Sequence, residues 1–388
     1  MKGKLLIFMN VYLDNAATTK PCKEAIEAIN FSLTENYGNP SSLHSFGLKA
    51  QLAVDEARKI IASALSCDAQ NIYFTSGATE SNNMALRGIA GAYGKRKPKI
   101  ITTTVEHASV KETVADLENK GFEIVRISPD ENGEINPADI ANAADENTCL
   151  ISMMLVNNEN GYILPVAKTF KAVKRRFPDI ITHCDCVQGF MKLPVKCAEL
   201  NADIISLSAH KIHGAKGVGA LYIRKGVRLT PVITGGKQEK GIRSGTESVP
   251  LITGFGAAVK KLEPTISARY EKASELKAYL LDKLKKLDGG EITYNSGENC
   301  SPYIINVSFE GIRSEIMLHF LEEKGIYVSS GSACSKGAKS GVLEELGVSA
   351  KNADSAIRVS ITAETTEEEL DLFAQAVSEA QKKIMKSK

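Results

Sequence analysis

Short apolar runs alternate with amphipathic patterns along the middle of this chain, between residues 71 and 223. Apolar runs of about four to eight residues are typical of strands, and apolar residues about three or four apart indicate helices. The most continuous run, residues 148–156, predicts a central strand that is buried on both faces. Strands joined by helices in this way form right-handed crossovers, so the sequence predicts an α/β fold with a mainly parallel central sheet.

The length of the chain and the order of its patterns predict two domains. The chain has 388 residues, of which 43% are hydrophobic, and this is enough for a large buried core. Strand and helix patterns segregate towards the C-terminus, which indicates a smaller α+β layer. We therefore expect a large domain at residues 21–260, a small domain at 261–388, and an N-terminal segment at 1–20 that packs near the small domain and the functional site.

The composition argues against several classes of protein. A net charge of +2 gives no bulk attraction for nucleic acid or for an anionic membrane. No apolar stretch approaches the roughly 20 residues of a membrane span, and the run at residues 5–9 is too short for a signal peptide, so we expect a cytoplasmic protein. The eight cysteines are scattered, and Cys184 and Cys186 lack the further ligands of a zinc site, so neither a disulfide framework nor a metal is expected.

One lysine, Lys211, lies between two strand-like runs and is followed by glycines. A neutral amine is a nucleophile, and a protected site lowers the pKa of a lysine enough to supply one. Ser208 and His210 add hydrogen-bond donors beside it, as a bound phosphate requires. The alternative is a surface lysine in a glycine-rich turn. The glycines at residues 214–219 lead into a strand and not into a helix, so they are no dinucleotide-binding fingerprint.

A second glycine turn joins a predicted strand at residues 71–75 to a helix that begins near Gly77. Such a turn presents backbone N–H groups at the positive end of the helix dipole, which favours phosphate. Many α/β turns share this pattern, and it becomes a strong signal only in combination with Lys211. Together the two features predict a phosphate-bearing ligand.

The loop at residues 329–341 carries Cys334 among serines, glycines and lysines. These small polar residues cannot pack a core, so the composition predicts a mobile loop. A thiol near Lys336 and Lys339 ionises more easily than a free thiol, because positive charge stabilises the thiolate. Cys334 is therefore predicted to be an exposed, reactive cysteine.

The string Ser208-Ala-His-Lys211 resembles the lysine motif of cysteine desulfurases, which are fold-type I enzymes that use pyridoxal 5'-phosphate (PLP). The strings Leu13-Asp-Asn-Ala-Ala-Thr-Thr19 and Ser329-Ser-Gly-Ser-Ala-Cys334 resemble two further signatures, and the second is typical of the long-loop group. The motifs follow one another in the expected order. The resemblance implies a fold-type I PLP-dependent transferase with a smaller α+β C-terminal domain, whose large domain binds PLP and whose small domain carries the cysteine loop.

The resemblance also implies roles for individual residues. Lys211 would bind PLP and move the proton at the substrate α carbon, His107 would stack on the ring, and the Cys334 thiolate would attack the substrate sulfur. Asp185 would pair with the ring nitrogen, and Arg358 would hold the substrate carboxylate. The remaining cofactor contacts would be Gln188 to the ring oxygen, Ala78, Thr79, Ser208 and His210 on the phosphate side, Asn158 to cofactor and substrate, and Thr246 to the phosphate in the partner subunit's site.

The implied activity is that of an L-cysteine desulfurase, which forms L-alanine and a persulfide on Cys334. The implied partners are a second copy of the chain and a sulfur acceptor such as an iron–sulfur cluster scaffold. A selenocysteine lyase or another β-eliminating PLP enzyme is the alternative, although simple elimination needs no mobile cysteine. A non-catalytic assembly partner of the same fold is less favoured, because the chain retains all four candidate residues: Lys211, Asp185, His107 and Cys334.

Overall fold

The computed structural model describes residues 10–330 and 341–384. These residues form two compact units. The large unit consists of Thr19–Asn157 and Leu164–Ile266, and the small unit consists of Asn158–Ile163 with the described parts of Met1–Thr18 and Ser267–Lys388. No described helix combines the length and the apolar character that a membrane crossing requires.

The described strands are interspersed with helices in both units. In chain order the strands are β1 Val11–Tyr12, β2 Ile72–Thr75, β3 Lys99–Thr103, β4 Glu123–Ile127, β5 Thr148–Met154, β6 Ile181–Asp185, β7 Ile204–Ser208, β8 Gly219–Ile223, β9 Ile292–Tyr294, β10 Ile304–Phe309, β11 Ile326–Tyr327, β12 Ser329–Ser330 and β13 Ala356–Ser360.

The described helices are α1 Lys23–Thr34, α2 Ser45–Leu65, α3 Ala78–Tyr93, α4 Ala108–Asn119, α5 Pro137–Ala143, α6 Val166–Arg176, α7 Cys197–Leu200, α8 Val249–Leu262, α9 Ile266–Lys285, α10 Ser314–Glu322, α11 Gly341–Glu345, α12 Ala350–Asp354 and α13 Glu367–Ile384. Short 3-10 turns at Ala69–Asn71, Ala209–Lys211, Gln238–Gly241 and Glu263–Thr265 join some of them.

The large unit is built on a seven-stranded sheet in the order β2-β8-β7-β6-β5-β3-β4. The pairs β3–β4, β3–β5, β5–β6 and β6–β7 are parallel, and β8 runs antiparallel to both β7 and β2. The prediction of a mainly parallel sheet is confirmed, and β5 is buried along its whole length as its apolar sequence indicated. Because β5, β6 and β7 are parallel, their carboxyl ends share one edge of the sheet, where ligands bind in α/β folds.

The small unit contains a four-stranded antiparallel sheet, β12-β13-β10-β9, and a parallel pair, β1-β11. Its core is formed by buried apolar residues of α9, α10 and α13 together with the inner faces of the strands; among them are Leu276, Leu280, Met317, Leu321 and Phe373. This mixture of an antiparallel sheet and packed helices is the α+β arrangement that the C-terminal sequence indicated.

Some helices begin at other residues than the sequence pattern predicts, because a capping side chain determines where they start. The pattern predicts a start near residue 48 for α2, but the helix begins at Ser45, because the His44 side chain caps it by accepting a bond from the Gly47 N–H at 3.3 Å. The short helix α5 was not predicted. Asn136 caps it by accepting from the Ala138 N–H at 3.0 Å, and Pro137 occupies its first turn.

Candidate active site

Lys211 lies at the end of a tight turn that follows β7. The strand ends at Ser208, and the 3-10 turn Ala209–Lys211 places the lysine directly after it. Thr19 fixes this turn, since its N–H and its hydroxyl both donate to the His210 carbonyl, at 2.8 and 2.9 Å. Burial, together with the smaller effect of the Lys211 charge, lowers the pKa of His210 to about 4, so the imidazole is neutral at physiological pH.

Asp185 ends the neighbouring parallel strand β6 and is 5% exposed. Its Oδ2 accepts a hydrogen bond from Asn82 Nδ2 at 2.8 Å, and its Oδ1 accepts from the Val187 N–H at 3.0 Å. Buried Gln188 lies three residues further along, and its Oε1 accepts from Lys192 Nζ at 2.9 Å. A carboxylate buried in this way gains most from a cationic partner, and a protonated pyridine nitrogen is one.

The N-terminus of α3 forms a cradle at the start of a 16-residue helix. Gly77 is its N-cap residue with a φ of +155°, and no side chain caps the helix there. A Cβ on Gly219 of β8 would lie 2.8 Å from the Gly77 Cα, so the strand and the turn can approach only because residue 219 is glycine, whereas Gly77 is favoured by its positive φ. Ala78 and exposed Thr79 form the first turn, where free N–H groups favour a phosphate.

A buried hydroxyl, that of Ser208, also supports the presence of a phosphate-bearing ligand. Ser208 is 2% exposed, and its Oγ has no hydrogen-bond partner among the described residues. An unsatisfied buried hydroxyl costs about 1–3 kcal/mol, and a ligand oxygen would remove that cost. The buried Asp185 carboxylate, the Ser208 hydroxyl and the helix N-terminus at Gly77 are therefore a donor and acceptor set that fits the ring nitrogen and the phosphate of PLP.

His107 caps the N-terminus of α4, where its Nδ1 accepts from the Ser109 N–H at 3.1 Å. The ring is exposed, yet the surrounding protein removes part of its hydration and lowers the pKa of His107, an effect that the charge of Asp185 opposes and that of Lys211 reinforces. The histidine, the carboxylate and the lysine of the large unit are thus brought close enough to influence one another.

Glu106, which precedes His107, is a buried acid that the sequence analysis did not single out. It is 1% exposed, and its Oε1 accepts from Thr103 Oγ1 at 2.7 Å and from the Met154 N–H at 2.9 Å. Burial raises the pKa of Glu106 to about 8, with a smaller contribution from the negative charge of Asp185. The side chain therefore carries a proton at neutral pH.

Arg358 lies on β13 in the small unit and is 7% exposed. Its Nη2 donates to Asp14 Oδ1 at 2.9 Å and its Nη1 to the Asn158 carbonyl at 3.0 Å, whereas its buried Nε–H has no acceptor among the described residues. The Asn158 side chain donates to Glu159 Oε1 at 3.1 Å. A guanidinium held by two contacts, with a donor left over, suits a carboxylate ligand.

Two further predicted residues, Thr246 and Cys334, are not part of the contacts described above. Thr246 is exposed on the loop that follows the turn Gln238–Gly241, and that loop is joined to α3 by Arg243, whose Nε donates to Glu80 Oε1 at 2.8 Å. Cys334 lies outside the described residues. The role that the sequence assigns to it stays a prediction.

Several residues of these clusters were missed by the sequence analysis. Asp14 belongs to the quoted Leu13–Thr19 signature, and this membership was a weak signal of a role for it. Asn82 and Ser109 sit in ordinary amphipathic helices, and nothing in their spacing marks them as partners of Asp185 and His107.

Comparison with known proteins places this chain among characterised families. Residues 11–373 match the model of the class-V aminotransferases. Cysteine desulfurase IscS of Dictyoglomus turgidum is 42% identical over 363 residues, which cover 93% of this chain and 92% of that relative. A solved NifS-like protein aligns over 96% of this chain and 100% of its own with a TM-score of 0.91 and 38% identity.

A second solved structure, described as SspA in complex with cysteine, aligns over 92% of this chain and 99% of its own. Its TM-score is 0.81 and its identity is 33%. The prediction from the lysine, N-terminal and cysteine-loop motifs is confirmed by these similarities, which extend over nearly the whole chain. The chain belongs to the class-V aminotransferase family and, within it, to the cysteine desulfurases.

Proposed function

We propose that this chain is a PLP-dependent L-cysteine desulfurase. It converts L-cysteine and the Cys334 thiol into L-alanine and a Cys334 persulfide, so the sulfur atom moves from substrate to protein with no other reactant. The observation that carries the proposal is the placement of Asp185 and Lys211 at the carboxyl ends of two adjacent parallel strands, with His107 close to both. The names of the relatives agree with this activity.

The large unit holds the groups that PLP needs. Asp185 would pair with the ring nitrogen, Gln188 would donate to the ring oxygen, and His107 would lie against the ring face. The phosphate would be bound by Ala78, Thr79, Ser208 and His210, with Thr246 contributed by the partner subunit. When bound, PLP acts as an electron sink that weakens bonds at the α and β carbons of an amino acid.

The protein side chains then supply orientation and proton movement. Arg358 binds the substrate carboxylate through its fork, and Asp14 and the Asn158 backbone keep that fork in place. The Asn158 side chain would touch both substrate and cofactor. Lys211 takes the proton from the substrate α carbon, and Cys334 receives the sulfur as a thiolate.

An apolar surface on the large unit supports the proposal of a homodimer. Exposed large apolar side chains are frequent between residues 31 and 52, where the Tyr37 and Phe46 rings are in tilted contact with their centroids 5.5 Å apart; the others are Phe31, Leu33, Leu43, Leu48 and Leu52. Monomeric proteins rarely expose so many large apolar groups on one segment. A second copy of the chain would cover this surface and would bring its Thr246 to the phosphate.

The remaining partners are inferred from the family. An iron–sulfur cluster scaffold is the proposed sulfur acceptor, because the relatives carry the name IscS. The near-neutral net charge of +2 favours neither nucleic acid nor membrane as a direct partner, and a cytoplasmic location agrees with the unpaired cysteines of the described residues.

The experiment that tests the proposed activity is Cys334→Ser. The variant should keep PLP and still change its visible spectrum when L-cysteine binds, because the groups that hold both lie elsewhere. It should form almost no alanine, and mass spectrometry should find no persulfide. Turnover near the wild-type rate would instead favour simple elimination, as in a selenocysteine lyase.

A further inference from the structure

A line of hydrogen bonds connects His107 to Asp185 through two residues with no assigned role. His107 Nδ1 lies 2.9 Å from Ser109 Oγ, Ser109 Oγ accepts from Asn82 Nδ2 at 2.8 Å, and the same Nδ2 donates to Asp185 Oδ2 at 2.8 Å. Asn82 is 0% exposed and Ser109 is 8% exposed, so the two bonds that Asn82 makes are buried, whereas the contact with His107 is partly buried. All four residues belong to the large unit.

The direction of each bond follows from the carboxylate at one end. Asp185 can only accept, so the group of Asn82 that faces it must be the amide NH2 and not the oxygen. The second amide hydrogen then donates to Ser109 Oγ, and the Ser109 hydroxyl proton is left to point at His107 Nδ1. The Ser109 backbone N–H points at the same nitrogen from 3.1 Å.

Two donors aimed at Nδ1 leave no place for a proton on that atom. The neutral His107 ring must then carry its proton on Nε2. We propose that Asn82 and Ser109 are positioning residues: they fix His107 as the Nε2–H tautomer and orient the Asp185 carboxylate.

The fixed tautomer has a chemical consequence. His107 then presents an N–H donor at Nε2, while its other nitrogen is tied to the helix α4 N-terminus and cannot exchange a proton. A ring that could flip would offer a donor in one orientation and an acceptor in the other. What His107 does with this donor rests on the proposed function, but the tautomer itself does not.

The test is nitrogen NMR of the imidazole rings in the full-length holoenzyme, labelled with 15N-histidine and assigned by a His107→Gln variant. In the wild type at neutral pH, His107 Nδ1 should resonate as an unprotonated nitrogen and Nε2 as a protonated one. Ser109→Ala removes the hydroxyl donor to Nδ1, and Asn82→Leu leaves that hydroxyl free to turn away. The Ser109 backbone N–H remains in both variants, so the Nδ1 signal should move part of the way towards the protonated value. The charges that act on the ring, from Asp185, Lys211 and Lys111, are unchanged in the serine variant.

Two controls separate this role from a general loss of packing. Ser109→Thr keeps the hydroxyl and should keep the wild-type spectrum. Thr113→Val removes a buried hydroxyl one turn along α4, where it donates to the Ser109 carbonyl at 2.8 Å, and should also leave Nδ1 unprotonated. A protonated Nδ1 in the wild type, or identical spectra in the wild type and the Ser109→Ala variant, would overturn the proposal.

The second arm of the proposal concerns Asp185. Only Asn82→Leu removes a donor from its carboxylate, so PLP should be lost on dialysis several-fold faster from this variant than from Ser109→Ala. Equal rates of loss would show that Asn82 does not orient Asp185. None of these readouts requires desulfurase activity. The measurement of PLP loss requires that the chain bind PLP, so a wild-type protein that bound no PLP would contradict the proposed function, whereas the nitrogen spectra would still test the His107 tautomer.

Discussion

Arg358 combines burial, a structural ion pair and an unused donor in one side chain. Asp14 and the Asn158 carbonyl occupy one nitrogen each, and the buried Nε–H has no acceptor among the described residues. Lysine would keep the charge but cannot form a planar fork. We expect Arg358→Lys to raise the KM for L-cysteine about 10- to 100-fold with a smaller change in kcat, as measured by alanine release. Arg269→Lys, which changes the ion pair with Glu364 in the same unit, should leave KM unaltered.

The raised pKa of Glu106 predicts how the stability of the protein depends on pH. Its pKa is about 8 in the folded protein against an ordinary value of 4.5, so between these limits the folded protein binds a proton that the unfolded chain has released. The stability that Glu106 contributes is therefore complete at low pH and is lost as the pH rises towards 8. Glu106→Gln cannot titrate, and its free energy of unfolding should fall less with pH, by up to about 1.4 kcal/mol per unit.

Urea unfolding at a series of pH values between these two limits measures this difference. The surface variant Glu118→Gln, which alters only an exposed pair with Arg126, should retain the wild-type slope. If Glu106→Gln also retains it, Glu106 is ionised in the folded protein and its burial has another explanation.

At the scale of elements, a buried ion pair fixes the loop that carries Thr246. Glu239 is 6% exposed and accepts two bonds from Arg58, at 2.7 and 2.8 Å, and one from the Phe74 N–H at 3.0 Å. Its backbone has a φ of +45° and that of Lys240 a φ of +57°, conformations that side chains disfavour. The ion pair therefore holds a turn that would not form unaided.

Breaking this pair should destabilise the protein. Glu239→Gln leaves the Arg58 charge without its partner and should cost about 3 kcal/mol in the free energy of unfolding. The measurement is a urea titration of the holoenzyme followed by circular dichroism. The control is Lys240→Gln at the exposed neighbouring residue, which should change the free energy of unfolding by less than about 1 kcal/mol. Equal losses in the two variants would contradict a specific role for Glu239.

The secondary-structure elements also show which parts of the fold the sequence patterns predict. The strands and helices of the large unit were predictable, because hydrophobic periodicity is a local property, and so was the placement of Lys211 and Asp185 at strand ends. The antiparallel insertion of β8 between β7 and β2 was not predictable, since it depends on which distant segments pair. The contact of Arg358 with Asp14 spans 344 residues, and the partners of Asn82 lie on two other elements, so neither leaves a trace in spacing.

At the scale of the whole molecule, the exposed apolar segment between residues 31 and 52 supports the proposed homodimer, in which the exposed Thr246 would reach the partner's site. In a two-fold dimer each site would combine Lys211 of one protomer with Thr246 of the other. A heterodimer of Lys211→Ala and Thr246→Ala protomers then has both defects in one site and an intact second site. If Thr246 serves its own protomer, each site of that heterodimer keeps one defect.

The mixing experiment follows from this arrangement. Each variant alone should have low activity, and after subunit exchange about half of the dimers are mixed, so about a quarter of the wild-type activity should return. The matched control is a mixture of Lys211→Ala with Asp185→Asn. Those two residues follow adjacent strands of the same unit, so every mixed dimer has one defect in each site and no activity should return. Exchange is verified by mass spectrometry of differently tagged protomers. With exchange verified, equal activity in the two mixtures would mean that Thr246 acts within its own chain, and the dimer would then rest on the apolar surface between residues 31 and 52 alone.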